Sequence, residues 1–186
     1  MTRIIAGAAR GRRLAVPPRG TRPTSDRVRE ALFSALQSRL DFDDLAVLDL
    51  YAGSGALGFE ALSRGAARAV LVDADAKAVA VIDQNARAVG LPGAAAHRRA
   101  ARAYLELPAQ PYDLVFLDPP YDLPADTVDG DVAALTGGWL APGAFVVVER
   151  STRSAGTTWP EGFEPELTRD YGETRVEIAV WQDDRA

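Results

Sequence analysis

The segment DLVFLDPPYDL, residues 113–123, places an acid, two prolines and a tyrosine directly after an apolar run. The carboxylate of Asp118 and the backbone carbonyl of Pro119 are suitable acceptors for an amino group whose lone pair is delocalised into an aromatic ring. Proline suits this place because it fixes φ and has no N–H of its own, and Tyr121 could stack on an extruded base. We therefore predict a catalytic set of Asp118, Pro119, Pro120 and Tyr121, with an ordinary strand-ending proline turn as the alternative.

A glycine-rich loop follows an earlier apolar run, LAVLDL, and its residues Gly53, Gly55 and Gly58 match G-x-G-x-x-G at a strand-to-helix turn. Asp73 closes the next apolar run, AVLVD, 20 residues after Gly53. A carboxylate at that place can accept hydrogen bonds from both hydroxyls of a ribose. The loop and the acid predict a nucleoside-bearing cofactor, with a nicotinamide dinucleotide and a structural turn without ligand as alternatives.

Asp49 lies four residues before the first glycine of this loop. A carboxylate there would repel a pyrophosphate, but it could pair with the ammonium group of an amino acid. S-adenosylmethionine combines an adenosine with an amino acid, and it therefore fits both Asp49 and Asp73. Ligands of open parallel sheets bind beyond the carboxyl ends of the strands, so we expect Asp118 at the same edge.

The elements that must position these residues alternate between short apolar runs and amphipathic stretches, which predicts an α/β fold with a parallel sheet and helices on both faces. Ser25 is the expected cap of a first helix that runs to about Leu40. The last apolar run, ETRVEIAVW, is typical of a late antiparallel or edge strand with Arg175 and Glu177 facing outward. Residues 123–138 are expected to form a polar loop.

Length and composition indicate one domain, because 186 residues with 47% hydrophobic content suffice for a single sizeable core. Residues 1–30 have a charge balance of +6 and the remaining 156 residues a balance of −11, so an acidic body carries a basic arm. A polyanion is the natural partner of such an arm, with a merely solubilising terminus as the alternative. The absence of cysteine excludes disulfides, thiolate zinc sites and a cysteine nucleophile.

Five segments together resemble the RsmD family, bacterial methyltransferases that act on guanine N2 of the small-subunit ribosomal RNA. They are RIIAGAARGRRLAVP at 3–17, RPTSDRVREALF at 22–33, DLYAGSGALGFEALSRGA at 49–66, DPPY at 118–121 and YGETRVEIAVW at 171–181. DPPY alone is shared with adenine-amino methyltransferases that act on DNA, so the arm and the RPTSDRVRE segment are the more specific signal.

The resemblance implies a Rossmann-like class I methyltransferase fold over residues 24–186, with a mostly parallel seven-stranded sheet, preceded by a basic β-hairpin or extended arm over residues 1–23. It implies cofactor contacts at Asp49, Ala52, Gly53, Gly55, Asp73, Ala74 and Ala100. It implies RNA contacts at Arg3, Arg10, Arg12, Arg13, Arg27 and Arg29, with the segment 22–30 packed over the cofactor and substrate entrance. Such enzymes often carry an acid or asparagine where this chain has Ala100 and Ala101, so the adenine contact is expected from backbone or from Arg99.

The implied substrate is 16S ribosomal RNA, within the small subunit or an assembly intermediate. We expect a cytoplasmic monomer that requires neither a membrane nor a metal. Three alternatives stay open on the sequence: an adenine-N6 DNA methyltransferase that uses the same DPPY site, a nicotinamide-dependent oxidoreductase, and an RNA-binding module without catalytic activity.

Overall fold

The computed structural model of the protein describes residues 2–18 and 24–183. Within these ranges the chain forms a two-stranded hairpin, a seven-stranded sheet and five helices. The elements in chain order are β1 (Thr2–Arg3), β2 (Arg13–Leu14), α1 (Asp26–Gln37), β3 (Ala46–Asp49), α2 (Ala56–Ser63), β4 (Arg68–Asp73), α3 (Ala76–Val89), β5 (Ala94–Arg98), α4 (Ala101–Tyr104), β6 (Tyr112–Leu117), α5 (Ala125–Leu135), β7 (Leu140–Ser151), β8 (Phe163–Tyr171) and β9 (Thr174–Trp181).

The large sheet has the strand order β5-β4-β3-β6-β7-β9-β8, and its strands are parallel from β5 through β7. Asp49, the last residue of β3, is in register with Leu71 of β4 and Phe116 of β6. The carboxyl ends of these three strands therefore meet at one edge. The chain order reverses between β3 and β6, and ligands of open α/β sheets bind in the crevice at such a switch point.

The central strands form because both faces of the sheet are covered. Val47, Leu71 and Phe116 face one buried apolar cluster, and Leu48 and Val115 face the other. Continuous apolar runs of this kind are what strands with two buried faces require. The predicted α/β class and mostly parallel seven-stranded sheet are confirmed.

Helix α1 begins as predicted, since the Ser25 hydroxyl accepts a hydrogen bond of 3.2 Å from the backbone N–H of Val28. It ends at Gln37 rather than near Leu40. The expectation of a loop over residues 123–138 is wrong, because this segment contains α5. The buried residues of α5 are Val128, Asp131, Val132 and Leu135, a helical spacing that an interior glycine and β-branched residues obscure in the sequence.

The carboxyl-terminal strands complete the sheet in antiparallel fashion. Strand β9 lies between β7 and β8 and is antiparallel to both, so it is not the edge strand. The edge on this side of the sheet is β8, and the other edge is β5. The expectation that Glu177 faces solvent is also wrong: its buried carboxylate accepts hydrogen bonds from the N–H and hydroxyl of Thr157.

The amino-terminal segment forms the short β1–β2 hairpin, in which Thr2 pairs with Leu14 and Arg3 with Arg13. Ile4 and Leu14 are buried in the core. The hairpin is also tied to α2, because the buried carboxylate of Glu60 accepts hydrogen bonds from the N–H groups of Ile5 and Ala6 at 2.8 and 3.0 Å. The predicted hairpin is thus confirmed, while the proposed boundary after residue 23 stays a prediction. Arg22 lies outside the described residues.

No helix in the described part of the chain is long and apolar enough to cross a membrane.

Candidate active site

A cavity of about 250 Å³ lies at the carboxyl edge of the sheet. It is bounded by the hairpin, the start of α1, the glycine loop, the end of β4 and the proline turn after β6. The lining residues are Thr2, Val16, Pro17, Thr24, Arg29, Tyr51, Ala52, Gly53, Ser54, Ala56, Leu57, Asp73, Asp75, Ala78, Asp118 and Pro120. The structure therefore brings the predicted catalytic acid, Asp118, to the same cavity as Gly53 and Asp73.

The glycine loop has the backbone that the motif requires. Gly53 and Gly55 adopt φ values of +57° and +81°, a region that side chains disfavour. A Cβ on Gly55 would lie 2.6 Å from the ring of Phe59. Asp73 accepts a hydrogen bond of 2.9 Å from the backbone N–H of Gly53 through Oδ2. This bond fixes the loop against the end of β4.

The third glycine of the motif serves packing. A Cβ on Gly58 would lie 2.2 Å from the Cδ2 atom of Leu71, so only glycine lets α2 approach β4 this closely. That role matches the reason for a third glycine in loops of this kind. Gly55 and Gly58 thus shape the loop from behind, while Gly53 faces the cavity.

Asp49 is buried at the end of β3 and, among the described residues, neither of its carboxylate oxygens has a hydrogen-bond partner. Burial, with the negative charges of Asp118 and Asp73 as smaller contributions, raises the pKa of Asp49 to about 8. The backbone N–H of Gly58 lowers the pKa of Asp49 and so offsets part of this rise. A buried acceptor that lacks a donor is suited to a cationic ligand group.

The residues at the cavity fit S-adenosylmethionine on these grounds. Asp49 offers an unpaired acceptor for an ammonium group, and Asp73 at the end of β4 lies where ribose hydroxyls would be bound. Ala52, Gly53 and Asp73 line the cavity, whereas Asp49 is buried and is not among the lining residues. Ala74 and Ala100 are exposed and do not line the cavity, so their contact with a cofactor stays a prediction.

Asp118 follows the last residue of β6 and contacts two residues that the sequence did not single out. The Thr24 Oγ1 atom lies 3.1 Å from Oδ2 of Asp118 and 2.7 Å from Oε2 of Glu149, which is near the end of β7. Burial raises the pKa of Asp118 to about 6. Hydrogen bonding with the Thr24 hydroxyl and with the carboxyl group of Glu149, and the positive charge of Arg150, limit this rise. Burial and the charge of Asp118 raise the pKa of Glu149 well above its usual range.

The proline turn is held from behind by Arg150, whose guanidinium is buried. It donates hydrogen bonds to the backbone carbonyl oxygens of Pro120 and Leu123 at 3.1 and 2.6 Å. Pro119 is buried. Tyr121 is 45% exposed, and its hydroxyl is 2.8 Å from Oγ1 of Thr174 on β9. The tyrosine ring is thus anchored at its hydroxyl end, and its stacking on a base stays a prediction.

Five of the six predicted RNA-binding arginines have exposed side chains: Arg3, Arg10, Arg12, Arg13 and Arg27. Arg12 also donates a hydrogen bond to the backbone carbonyl of Val89. RNA contact by this set stays a prediction.

Arg29 differs from the other five because its side chain is fully buried. Its guanidinium donates hydrogen bonds to the carbonyl oxygen of Arg3 and to Asp26. This placement favours a structural role, in which Arg29 joins α1 to the hairpin, over an exposed contact with RNA.

The arginines near the end of β5 have different environments. Arg98 and Arg99 are exposed, and the backbone N–H of Arg99 donates to the carbonyl of Asp73. The guanidinium of Arg102 donates a hydrogen bond of 2.8 Å to the carbonyl of Gly130 in α5. Across the described ranges, no group of three histidine, cysteine or acidic side chains is placed to hold a metal ion.

Thr24, Glu149 and Arg150 are the site residues that the sequence reasoning missed. Glu149 and Arg150 follow the apolar run AFVVV, and an acid at the end of a buried parallel strand is a signal comparable to Asp49 and Asp118. Thr24 carried no such signal, because its role depends on contacts with residues 94 and 125 positions away.

Comparison with known proteins shows which family the sequence matches. The family model described as "Conserved hypothetical protein 95" matches residues 2–180. The "Ribosomal RNA small subunit methyltransferase D" of Escherichia coli strain K12 is 39% identical over 161 residues, which cover 85% of this chain and 79% of that protein. The protein of the same name from Haemophilus influenzae is 37% identical over 153 residues, covering 79% and 77%.

Solved structures give the same picture. The "Putative methyltransferase yhhF from Escherichia coli" superposes with a TM-score of 0.87 at 32% identity, over 98% of this chain and 99% of that one. A magnesium protoporphyrin IX methyltransferase from Synechocystis, solved with bound SAM, has a TM-score of 0.65 at 17% identity over 84% of this chain and 79% of its own, which shows a likeness of fold alone. The chain has the Rossmann-like class I fold and belongs to the RsmD family of methyltransferases.

Proposed function

We propose that the protein transfers a methyl group from S-adenosylmethionine to the exocyclic N2 amino group of a guanine in 16S ribosomal RNA of the small subunit. The observation that carries this proposal is the convergence of Asp118 and the proline turn with Gly53 and Asp73 on one cavity. Asp118 and the proline turn offer acceptors for a base amino group, and Gly53 and Asp73 offer the loop and acid for a nucleoside.

The cofactor would be held by the two acids at the ends of β3 and β4. Asp73 is already oriented by the N–H groups of Gly53 and Asp75, each 2.9 Å from one of its oxygens, and its remaining lone pairs can accept ribose hydroxyls. Asp49 can accept the ammonium group. S-adenosylmethionine supplies the methyl group on a cationic sulfonium.

Asp118 would orient the base and receive its proton. A guanine amino group donates to the carboxylate and to the backbone carbonyl of Pro119, which favours a pyramidal nitrogen with an available lone pair. Transfer of the sulfonium methyl group to this nitrogen would leave a neutral thioether and one surplus N–H proton, which Asp118 would accept. Alignment of nitrogen, carbon and sulfur supplies much of the rate enhancement in such a step.

The choice of RNA is supported by the relatives and by the arm. The Escherichia coli and Haemophilus influenzae relatives are named for the small ribosomal subunit RNA. The hairpin presents Arg3, Arg10 and Arg13 as exposed cations, and cations of this kind supply the sequence-independent part of nucleic-acid affinity. The choice of guanine N2 rests on the resemblance of the arm and of residues 22–33 to the family.

The test is methyl transfer from tritiated S-adenosylmethionine to four substrates: free 16S ribosomal RNA, small subunits from cells without the enzyme, an assembly intermediate, and DNA. We expect label in RNA, and nuclease digestion with mass analysis should identify N2-methylguanosine. The Asp118→Ala variant serves as the control for contaminating activity. Label in DNA alone, or in a nucleoside other than N2-methylguanosine, would overturn the proposal.

A further inference from the structure

Thr24 lies between two carboxyl groups and is close enough to both to form hydrogen bonds. Its Oγ1 atom is 2.7 Å from Oε2 of Glu149 and 3.1 Å from Oδ2 of Asp118. A hydroxyl carries one hydrogen, so it can donate to only one of these oxygens at a time. If both carboxyl groups were ionised, the Thr24 oxygen would contact one carboxylate oxygen with a proton between them and the other carboxylate oxygen with none. The geometry therefore requires a second proton within the set.

Glu149 is the better place for that proton. It is buried, and its Oε1 atom has no hydrogen-bond partner in the described ranges 2–18 and 24–183. An ionised carboxylate with one oxygen left without a donor is costly in such a place. Asp118 is partly exposed and lines the cavity, so its charge is partly solvated.

The charged neighbours separate the two groups further. Asp49 at the end of β3 and Asp118 after β6 both disfavour a negative charge on Glu149, whereas Arg150, the next residue along β7, favours the ionised form of Asp118. Asp73, at the end of β4, adds a negative charge near Asp49. Burial and these charges raise the pKa of Glu149 well above its usual range.

We propose that Glu149 is protonated in the resting enzyme and donates to Thr24, whose own hydroxyl then donates to Asp118 and holds it ionised and oriented toward the substrate. Glu149 and Thr24 are positioning residues in this arrangement, and Asp118 is the group that meets the base. The inference rests on the proposed function and adds to it a proton that stays on the carboxyl group of Glu149. The proton released by the amino nitrogen goes to Asp118, while Glu149 keeps its own throughout the step.

The arrangement also connects the active site to the basic arm. Thr24 immediately precedes Ser25, the cap of α1, and follows directly on residues 1–23 of the predicted arm. The hydroxyl that orients Asp118 is thus supplied by the segment predicted to cover the substrate entrance, and a change in that segment on binding RNA would act on the acceptor.

The protonation state can be read without substrate, from the carboxyl ¹³C signals of protein labelled at aspartate and glutamate. We expect one glutamate signal, absent from the Glu149→Gln spectrum, to titrate well above the usual range for glutamate. In the Thr24→Val variant, Asp118 loses a donor, so its midpoint should rise, whereas Thr24→Ser should titrate like the wild type. If Glu149 titrates in the ordinary range, the proposal is wrong whatever the activity.

Kinetics provide the second test. Thr24→Val should lower kcat by about tenfold or more, the factor for a hydrogen bond to a charged group, with little change in the Kd of the cofactor, and Thr24→Ser should restore it. Glutamine can donate to Thr24 as a protonated carboxyl group does, so Glu149→Gln should keep more activity than Glu149→Ala. In the wild type, ionisation of Glu149 should make kcat decline at alkaline pH. Glu149→Gln cannot ionise and should lose this decline.

The kinetic experiment separates failure of the Glu149 inference from failure of the proposed function. Equal losses in Glu149→Gln and Glu149→Ala, with the alkaline decline unchanged, would overturn the inference while leaving the methyl transfer intact. A wild-type protein that methylates no RNA would instead overturn the proposed function, and the ¹³C titration would still decide the protonation of Glu149.

Discussion

The buried guanidinium of Arg150 donates a hydrogen bond of 3.1 Å to the backbone carbonyl oxygen of Pro120. A second bond, of 2.6 Å, goes to the carbonyl of Leu123. Arg150 does not itself line the cavity. It stabilises the turn from behind, so the direction in which Asp118 and Pro119 point depends on a side chain supplied by the neighbouring strand β7.

Replacing Arg150 should therefore impair the reaction more than the binding of cofactor. We expect Arg150→Met to lower kcat at least tenfold, with the Kd of S-adenosylmethionine within about threefold of the wild type. The two carbonyls left without a donor should reduce the free energy of unfolding by about 1–3 kcal/mol. Urea unfolding and single-turnover methylation measure both effects. Arg153→Met, at an exposed arginine on the next turn, is the matched control, and equal kcat in the two variants would contradict the assignment.

The pH dependence of methylation should show an acid limb from Asp118. Its pKa of about 6 means that the carboxylate is protonated below this pH and ionised above it. The rate of the single-turnover step should accordingly rise as pH increases through 6 and reach a plateau above 7, before the alkaline decline expected from ionisation of Glu149. Asp118→Asn should lower the rate by about 10²–10⁴-fold, the range for loss of a positioned base, and abolish the limb. A limb of the same midpoint in the residual activity of this variant would exclude Asp118 as its source.

Asp49 should make the protein without cofactor less stable as pH rises. The pKa of its buried carboxyl is raised from 3.8 to about 8 on folding, so its contribution to stability is full below pH 4 and is lost as pH approaches 8. Asp49→Asn cannot ionise, and its Tm relative to the wild type should be higher at pH 8.5 than at pH 5, by at least about 2–4 °C, or 1 kcal/mol. Asp83→Asn on the exposed face of α3 is the control. An equal Tm difference at both pH values would contradict the prediction.

Asp73 should determine the affinity for S-adenosylmethionine. We expect Asp73→Ala to raise the Kd by about 10- to 100-fold, because hydrogen bonds to a charged group contribute about 1.5–3 kcal/mol. Asp73→Asn should have a smaller effect, since one amide oxygen can still accept from Gly53. Isothermal titration calorimetry measures the Kd, again with Asp83→Asn as the control for loss of one negative charge. An unchanged Kd in Asp73→Ala would place the cofactor elsewhere.

The exposed arginines of the hairpin should account for part of the salt dependence of RNA binding. Replacing Arg3, Arg10 and Arg13 with glutamine should weaken binding and reduce the slope of log K against log salt by about 0.7–0.9 for each phosphate that is no longer neutralised. Filter binding from 50 to 300 mM salt measures the slope, and Arg169→Gln on the edge strand β8 is the control.

Arg29 should behave differently from those three arginines. Because its guanidinium is buried against Asp26 and the carbonyl of Arg3, Arg29→Gln should lower the free energy of unfolding and leave the salt slope unchanged. A reduced slope at full stability would show that Arg29 contacts RNA after all.

The sequence could predict the part of the site that depends on local pattern. The loop glycines, Asp49, Asp73 and Asp118 each follow a continuous apolar run, and parallel strands bring their carboxyl ends together. The same rule would have found Glu149, which also ends an apolar run. Thr24 and Arg150 could not be found in this way, because each acts on a partner far along the chain. The residues next to them in the sequence give no sign of that role.

The sequence could predict those elements of the fold that have a clear local pattern of apolar residues. Strands with two buried faces were evident, whereas β8 was missed because it is an edge strand with charged residues on its exposed positions. Helix α5 was missed because Gly130 and polar residues interrupt its apolar spacing. Burial of Glu177 and Arg29 depends on partners at long range, which no local pattern encodes.

The attachment of the hairpin to Glu60 has a thermodynamic consequence for binding. A free polybasic tail loses backbone entropy when it becomes ordered on a partner, about 1–2 kcal/mol for each residue. In this protein the backbone N–H groups of Ile5 and Ala6 are already bonded to Glu60, so that loss has occurred during folding. We therefore expect contact of the hairpin with a polyanion to order side chains rather than backbone, and we expect the fixed spacing of its arginines to favour one arrangement of phosphates over others.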